Sequence, residues 1–318
     1  MSARSNLPIL DEAEVLVAFD RGRVLPALET AFAGLVTGRS VQPAQTVTVF
    51  PDGRGDCIFY PGALLDLGLI GVKVSPYLSD RSDAGLSPVT AYTLLLSAST
   101  GAPLLLCDSY ALTTIRTAAT TALAVQHLSR SDAKSLAVVG SGKLAREHLR
   151  FVAGLREWTD VRMYSPQVAV APERQEVVRR AVPEQSQISF STSARSAVEG
   201  ADVVLLCTSS GSSVIERPWV AESVLVTSIS TNSPGAHEIE PASLGSYDVY
   251  CDYRATAPVT AGEMTIAVEA GEWSGDRIIA DLAELATGAA PKEWTRPRFF
   301  RSTGLGIEDL AIAHLLVS

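Results

Sequence analysis

The chain has 318 residues, 47% of them hydrophobic and 19% charged, with a formal net charge of −9. Single cores stop growing near ~250–300 residues, so about two domains are expected. The acidic balance argues against a nucleic-acid or anionic-membrane partner, since both would repel most of the surface, but it leaves room for small anions in a local positive pocket.

No run approaches the ~18–20 apolar residues of a membrane span, and residues 1–6 lack the apolar core of a secretory signal. A cytoplasmic protein is therefore expected. Cys57, Cys107, Cys207 and Cys251 show no C-x-x-C spacing, and each sits in or beside an apolar run. That pattern suits buried free thiols in a reducing compartment. His127, His148, His237 and His314 are too scattered to suggest a metal site.

Helical periodicity covers residues 11–37. From 45 to 110 the texture changes to short runs of near period two (46–50, 57–60, 69–74, 91–96 and 103–107), punctuated by Pro51-Asp-Gly53, Asp83-Ala-Gly85 and Thr100-Gly101. This predicts an antiparallel or mixed sheet. Lys73 lies in one of these runs. Period two puts Ile70, Val72 and Val74 on one face and Gly71, Lys73 and Ser75 on the other. On pattern alone Lys73 faces solvent; in a cleft it would meet a substrate carboxylate or imine.

A helix follows over about 113–129, with Thr113 as the expected N-cap. Arg116 then falls at the third helical position, where a cation opposes the helix dipole. Such a placement suggests a bound carboxylate or phosphate, gripped by the guanidinium fork. The alternative is a surface arginine paired with a local acid.

From 135 the pattern alternates strand and helix, with strands at 135–140, 160–165, 187–191, 202–208, 223–230 and 247–252. This is the pattern of a doubly wound parallel sheet. Its first strand runs into Gly140-Ser-Gly142-Lys-Leu-Ala145, a G-x-G-x-x-A turn between strand and helix. Gly140 permits the turn, Gly142 lets backbone approach a pyrophosphate, and Ala145 permits close packing of helix on strand. The anion would rest on the N–H groups that open the helix.

Gly140, Ser141, Gly142, Lys143 and Leu144 are thus candidate cofactor residues, with Ser165, Thr208, Ser230 and Thr117. The second strand ends in Ser165-Pro-Gln167, with no acid between 163 and 172 to bond a ribose 2′-hydroxyl. The balance tilts toward NADP over NAD, with Ser165 and Arg174 near the 2′-phosphate. Thr208–Ser210, 230–235 and Asp252 close other strands with polar groups suited to ribose or nicotinamide, or to ordinary loop chemistry. After 290 the nucleotide half ends; 299–304 reads as a strand and 307–316 as a helix. Glu308 and Asp309, after Gly304-Leu-Gly306, read as acids favoured at a helix N-terminus.

The predicted fold is α/β. A Rossmann doubly wound domain (121–294) is inserted in a second α+β domain for substrate binding and dimerisation (1–120 with 295–318).

Tyr60-Pro-Gly62, Gly71-Val-Lys73, Thr100-Gly-Ala-Pro103, Leu112–Ala119, Val139-Gly-Ser-Gly142, Ser233-Pro-Gly235 with Glu238, Ala261-Gly-Glu263 and Phe300–Asp309 lie in one order across nearly the whole chain. Taken jointly, the sequence resembles the ornithine cyclodeaminase/mu-crystallin family. The resemblance implies a homodimer whose N-terminal sheet forms much of the interface, a Rossmann domain holding NAD(P), and action on α-imino or α-amino acids. By this likeness Lys73 and Arg116 hold the substrate carboxylate.

Two positions depart from the family pattern. Gln45 stands where a second carboxylate-binding arginine often occurs, and Asn232 where cyclodeaminases carry an aspartate. Asn cannot act as a general base, so plain hydride transfer is favoured over ammonia release. The candidate catalytic residues are Lys73, Arg116 and Asn232; the candidate substrate-binding residues are Gln45, Lys73, Arg116 and Gly304. The alternatives are an ornithine or lysine cyclodeaminase and a non-catalytic, mu-crystallin-like NADP-binding protein.

Overall fold

The computed structural model describes residues 7–181, 187–230, 235–289, 291 and 293–318. The chain divides into two compact units, Met1–Arg116 with Gly304–Ser318, and Thr117–Thr303.

In chain order the first unit opens with β1 (Ile9–Leu10), α1 (Glu12–Ala18) and α2 (Val24–Val36). The periodic stretch 11–37 is thus two helices. Asp11 and Glu14 form a reciprocal capping box on α1, whereas the Asp20 side chain accepts from Gly22 N at 2.9 Å and starts a 3-10 turn that interrupts the helix.

Next come β2 (Ser40–Val41), β3 (Thr46–Val49), β4 (Gly55–Leu64), β5 (Leu69–Leu78), β6 (Tyr92–Ser97), β7 (Pro103–Asp108) and α3 (Tyr110–Leu128). The sheet runs β1-β7-β6-β5-β4-β2, with β3 also on β4. Its pairs are antiparallel except β1 with β7, so it is mixed. The unit boundary at 116/117 falls inside α3.

The second unit contains β8 (Ser135–Val139), α4 (Lys143–Val152), β9 (Asp160–Tyr164), α5 (Pro172–Ala181), β10 (Ile188–Phe190), α6 (Ala194–Val198), β11 (Val203–Leu206), β12 (Leu225–Ser228), β13 (Asp248–Cys251), α7 (Ala257–Thr260), α8 (Gly262–Glu269), β14 (Ile278–Asp281), α9 (Leu282–Ala286) and β15 (Arg298–Arg301). Every strand pair is parallel, in the order β10-β9-β8-β11-β12-β15-β13-β14. The central strands are buried along almost their whole length, since both of their faces are covered. The order reverses between β8 and β11, which makes that crevice the topological switch point.

The sequence reading assigned Phe299 to the first domain. Instead β15 lies between β12 and β13, in register with both. The strand itself was expected, but not its place inside this sheet, where all four of its residues, Arg298 and Arg301 included, are buried.

The last helix, α10 (Gly306–His314), belongs to the first unit and packs on β4, β5 and β6 and against α2. Directly opposed residues share a face of a sheet. The register Tyr60↔Lys73↔Thr93↔Cys107 therefore defines the covered face, and all four residues are buried. Phe59, Pro61, Ile70, Val72, Val74, Tyr92 and Leu94 form the opposite face, half-buried or exposed. The expected polarity is thus inverted: the lysine points inward and the aliphatic face outward. All four cysteines are free and buried, and among the described residues no helix is long and apolar enough to cross a membrane.

Candidate active site

In the first unit Lys73 is drawn inside by what lies above it. Gly62 and Gly306 let β4 meet the start of α10 backbone to backbone: a Cβ on Gly306 would lie 2.1 Å from the Pro61 carbonyl oxygen. Gln42 pins the junction, its Oε1 accepting from Ile307 N at 3.1 Å. The next two residues of α10, Glu308 and Asp309, are thereby set over the sheet. Asp309 Oδ2 is 2.9 Å and Oδ1 3.0 Å from Lys73 Nζ. Oδ1 also accepts from Arg116 Nε at 3.1 Å, and Glu308 Oε2 accepts from Arg116 Nη1 at 3.1 Å. The Tyr60 ring lies under the ammonium, with Nζ 4.2 Å from its centroid, and Thr113 Oγ1 accepts from Nζ at 3.4 Å.

Two cations and two carboxylates are thus buried together, none more than 5% exposed. Burial and the nearby Arg116 charge pull the Lys73 ammonium down to about 8, against the opposing influence of Asp309 and Glu308. Burial also works against the Arg116 charge, but the two carboxylates outweigh it and raise its pKa. Arg116 thus spans both carboxylates, its Nε on Asp309 and its Nη1 on Glu308.

The helix bearing Arg116 starts earlier than expected. Tyr110 N donates to Asp108 Oδ1 at 2.8 Å and Thr113 N to the Ser109 carbonyl at 2.8 Å, so Thr113 is inside α3 and not its N-cap. Arg116 stands in the second turn, where the dipole argument does not apply. The two carboxylates explain its position. Read from sequence as ordinary helix-start acids, Glu308 and Asp309 are the partners of both site cations; no local pattern signals pairings across 192 to 236 residues. Gly304 has φ +83°, and a Cβ there would lie 2.3 Å from Arg116 Nη1. Its role is to make room for the guanidinium. Gln45 is half-buried at the head of β3.

In the second unit the Gly140 turn has the expected form. Gly140 has φ +120°, and a Cβ would strike the Cys207 carbonyl oxygen at 2.2 Å. Gly142 is the N-cap of α4, and a Cβ there would meet nothing within 4 Å. Open space over a glycine at a helix N-terminus fits a pyrophosphate. Lys143 is exposed in the first turn, Leu144 is half-buried behind it, and Ala145 is fully buried. Ser141 Oγ and Ser165 Oγ are 2.8 Å apart, joining the glycine turn to the end of β9, and Ser165 Oγ also accepts from Val168 N at 3.1 Å. Arg174 bonds the Gln167 side chain beside that turn. Thr117 is half-buried on α3. Asp252 is buried and accepts from Thr303 Oγ1 at 3.1 Å, tying the end of β13 to the segment after β15.

Glu238, to which sequence reasoning gave no role, gathers the ends of β11 and β12. Its Oε1 accepts from Thr208 N and Thr208 Oγ1, both at 2.7 Å. Its Oε2 accepts from Ser228 Oγ at 2.8 Å, Ile229 N at 3.2 Å and Ser230 N at 3.1 Å. Glu238 is fully buried; burial raises its pKa above the ordinary carboxyl value, against the pull of these hydrogen bonds. Ser230 Oγ is shielded from solvent and has no hydrogen-bond partner among the described residues. Asn232 lies outside the described residues. Among the described residues no group of three or more His, Cys, Asp or Glu is placed to hold a metal ion.

The sequence pattern of the ornithine cyclodeaminase/mu-crystallin family matches residues 8–317. The chain belongs to this family. Among ornithine cyclodeaminase/mu-crystallin relatives, the NAD(P)H-dependent anabolic L-arginine dehydrogenase DauB of Pseudomonas aeruginosa is 49% identical over 317 residues, covering 99% of this chain and 98% of that one. The Δ1-pyrroline-2-carboxylate reductase of Thermococcus litoralis, solved in complex with NADH and L-proline, superposes with a TM-score of 0.87 at 26% identity, covering 98% and 96% of the two chains. An archaeal alanine dehydrogenase dimer with bound NAD gives a TM-score of 0.88 at 26% identity, over 98% and 94%.

Proposed function

We propose that the protein is an NAD(P)H-dependent oxidoreductase of amino acids, which transfers hydride between nicotinamide and the α-carbon of an α-imino/α-amino acid. The observation that carries this reading is the buried Lys73–Asp309–Arg116–Glu308 group, in a chain whose other unit bears a glycine turn with open space at a helix N-terminus. Arg116 grips the substrate carboxylate with its guanidinium, for which Gly304 keeps the space. Lys73, tuned toward neutrality, exchanges a proton with the substrate nitrogen. The bound dinucleotide supplies the hydride. Gly140, Ser141, Gly142, Lys143 and Leu144 hold its pyrophosphate, and Thr208, Ser230 and Thr117 serve its nicotinamide half. In reduction, the C=N carbon takes the hydride and the nitrogen takes the proton, giving the amine and the oxidised cofactor.

The preferred cofactor is NADP. The β9 turn offers Ser165, Gln167 and Arg174 and no carboxylate between 163 and 172, which suits a 2′-phosphate better than a free hydroxyl. The substrate class is a basic amino acid and its imine, with L-arginine first, supported by 49% identity to the L-arginine dehydrogenase along 99% of this chain. The assembly is a homodimer joined through the aliphatic outer face of the first unit's sheet, since a face of that composition is disfavoured in water.

Oxidation of NADPH and NADH by the purified protein, with ammonia and a panel of 2-oxo acids including that of arginine, tests the reading. Turnover with the guanidino acid and preference for NADPH are expected. Binding of either cofactor without turnover across the panel would overturn the enzymatic reading, and faster turnover with NADH would overturn the NADP preference.

A further inference from the structure

Glu238 brings five donors onto one carboxylate from the ends of two neighbouring strands. Only the ionised form can accept from all of them. Its own carbonyl accepts from Val214 N at 2.9 Å, so the loop after β11 is tied to the same residue. Two consequences follow for the hydroxyls. Thr208 Oγ1 spends its proton on Glu238 and accepts from Ser210 N at 3.2 Å, so toward a ligand it can only accept. Ser230 is held likewise through its backbone N–H, and its Oγ is shielded from solvent with no hydrogen-bond partner among the described residues.

The position along the sheet says which ligand. The pyrophosphate turn follows β8. β9, on one side, ends in the serine turn of the proposed adenine-ribose subsite, and β11 and then β12 lie on the other side, each about 4.8 Å further on. The carboxyl ends of β11 and β12 therefore take the nicotinamide half.

We propose that Glu238 is a positioning residue for the nicotinamide. Its carboxylate locks the ends of β11 and β12 so that Thr208 offers an acceptor to the carboxamide, and its buried charge favours the oxidised, cationic ring over the neutral reduced one. This rests on the NAD(P) reading above. Glutamine at 238 would keep the shape but remove the charge and turn an amide N–H toward groups that themselves donate.

The test is calorimetric titration of the full-length protein, wild type and Glu238→Gln, with NADP⁺, NADPH and 2′-phospho-ADP-ribose, which lacks nicotinamide. For Glu238→Gln, affinity for NADP⁺ is expected to fall at least about 10-fold and for NADPH no more than about 3-fold, with the fragment within about 2-fold of wild type. Unchanged NADP⁺ affinity, or an equal loss for all three ligands, would overturn the proposal. If Glu238→Gln does not fold, Ser228→Ala removes a single donor; it is expected to weaken NADP⁺ about 3-fold and spare the fragment, and any other ranking overturns the proposal. A wild-type protein that binds none of the three would instead overturn the dinucleotide reading on which the proposal stands.

Discussion

Lys73 is the residue whose charge state governs the proposed chemistry. Its ammonium is pulled down to about 8, chiefly by burial. Imine reduction needs the protonated form, so kcat/KM for a preformed imine is expected to be flat below about pH 8 and to fall above it, and amino-acid oxidation is expected to rise through the same range. A bound substrate carboxylate adds negative charge and favours the ammonium, so the break in kcat is expected at higher pH than the break in kcat/KM. A Lys73→Arg variant that kept the same profile would remove Lys73 from the proton path. Asp309 serves both cations, and Asp309→Ala would leave them buried with a single carboxylate. Breaking a buried ion pair costs about 3–5 kcal/mol, a loss measurable by urea unfolding. Gly304→Ala would drive a methyl into the Arg116 fork and strain a positive φ. A misplacement of about 1 Å costs roughly 10²-fold in turnover, and kcat/KM is expected to fall on that scale.

At the scale of elements, the two glycines of the β8–α4 turn separate folding from binding. Gly140→Ala meets the Cys207 carbonyl and a positive φ at once, and a loss of about 2–4 kcal/mol is expected. Gly142→Ala meets no protein atom; stability is expected to stay within about 1 kcal/mol, while dinucleotide affinity falls at least about 10-fold. Fluorescence titration and thermal melting distinguish the two outcomes. These glycines were legible in the sequence because both the strand before them and the helix after them are local patterns. β8 and β11 were legible for the same reason, as apolar runs. The buried face of β5 was not. Period two divides residues between two faces but does not say which face is covered, and here a lysine points inward because α10 brings Asp309 to it from 236 residues away. Arg116 was singled out for a local reason that does not hold, since the start of α3 is set by Asp108 and Ser109. Glu238 stood in the sequence only as part of the family pattern; its contacts were not legible because its donors come from two other segments.

For the whole molecule, the aliphatic outer face of the first sheet decides the proposed assembly. Ile70 is 36% and Tyr92 48% exposed on it. The wild-type protein is expected to sediment as a dimer, and the double variant Ile70→Glu/Tyr92→Glu as a monomer that still binds dinucleotide; a monomeric wild type would exclude the proposed interface. The late position of β15 and α10 in the chain has a further consequence. β15 fills the centre of one sheet and α10 roofs the other, and they are separated by only four residues. A nascent chain emerging from the ribosome cannot finish either unit until residues 298–314 have cleared the exit tunnel. Apolar strands of each sheet wait uncovered in the meantime, so the yield of folded protein is expected to fall when chaperones are depleted during synthesis.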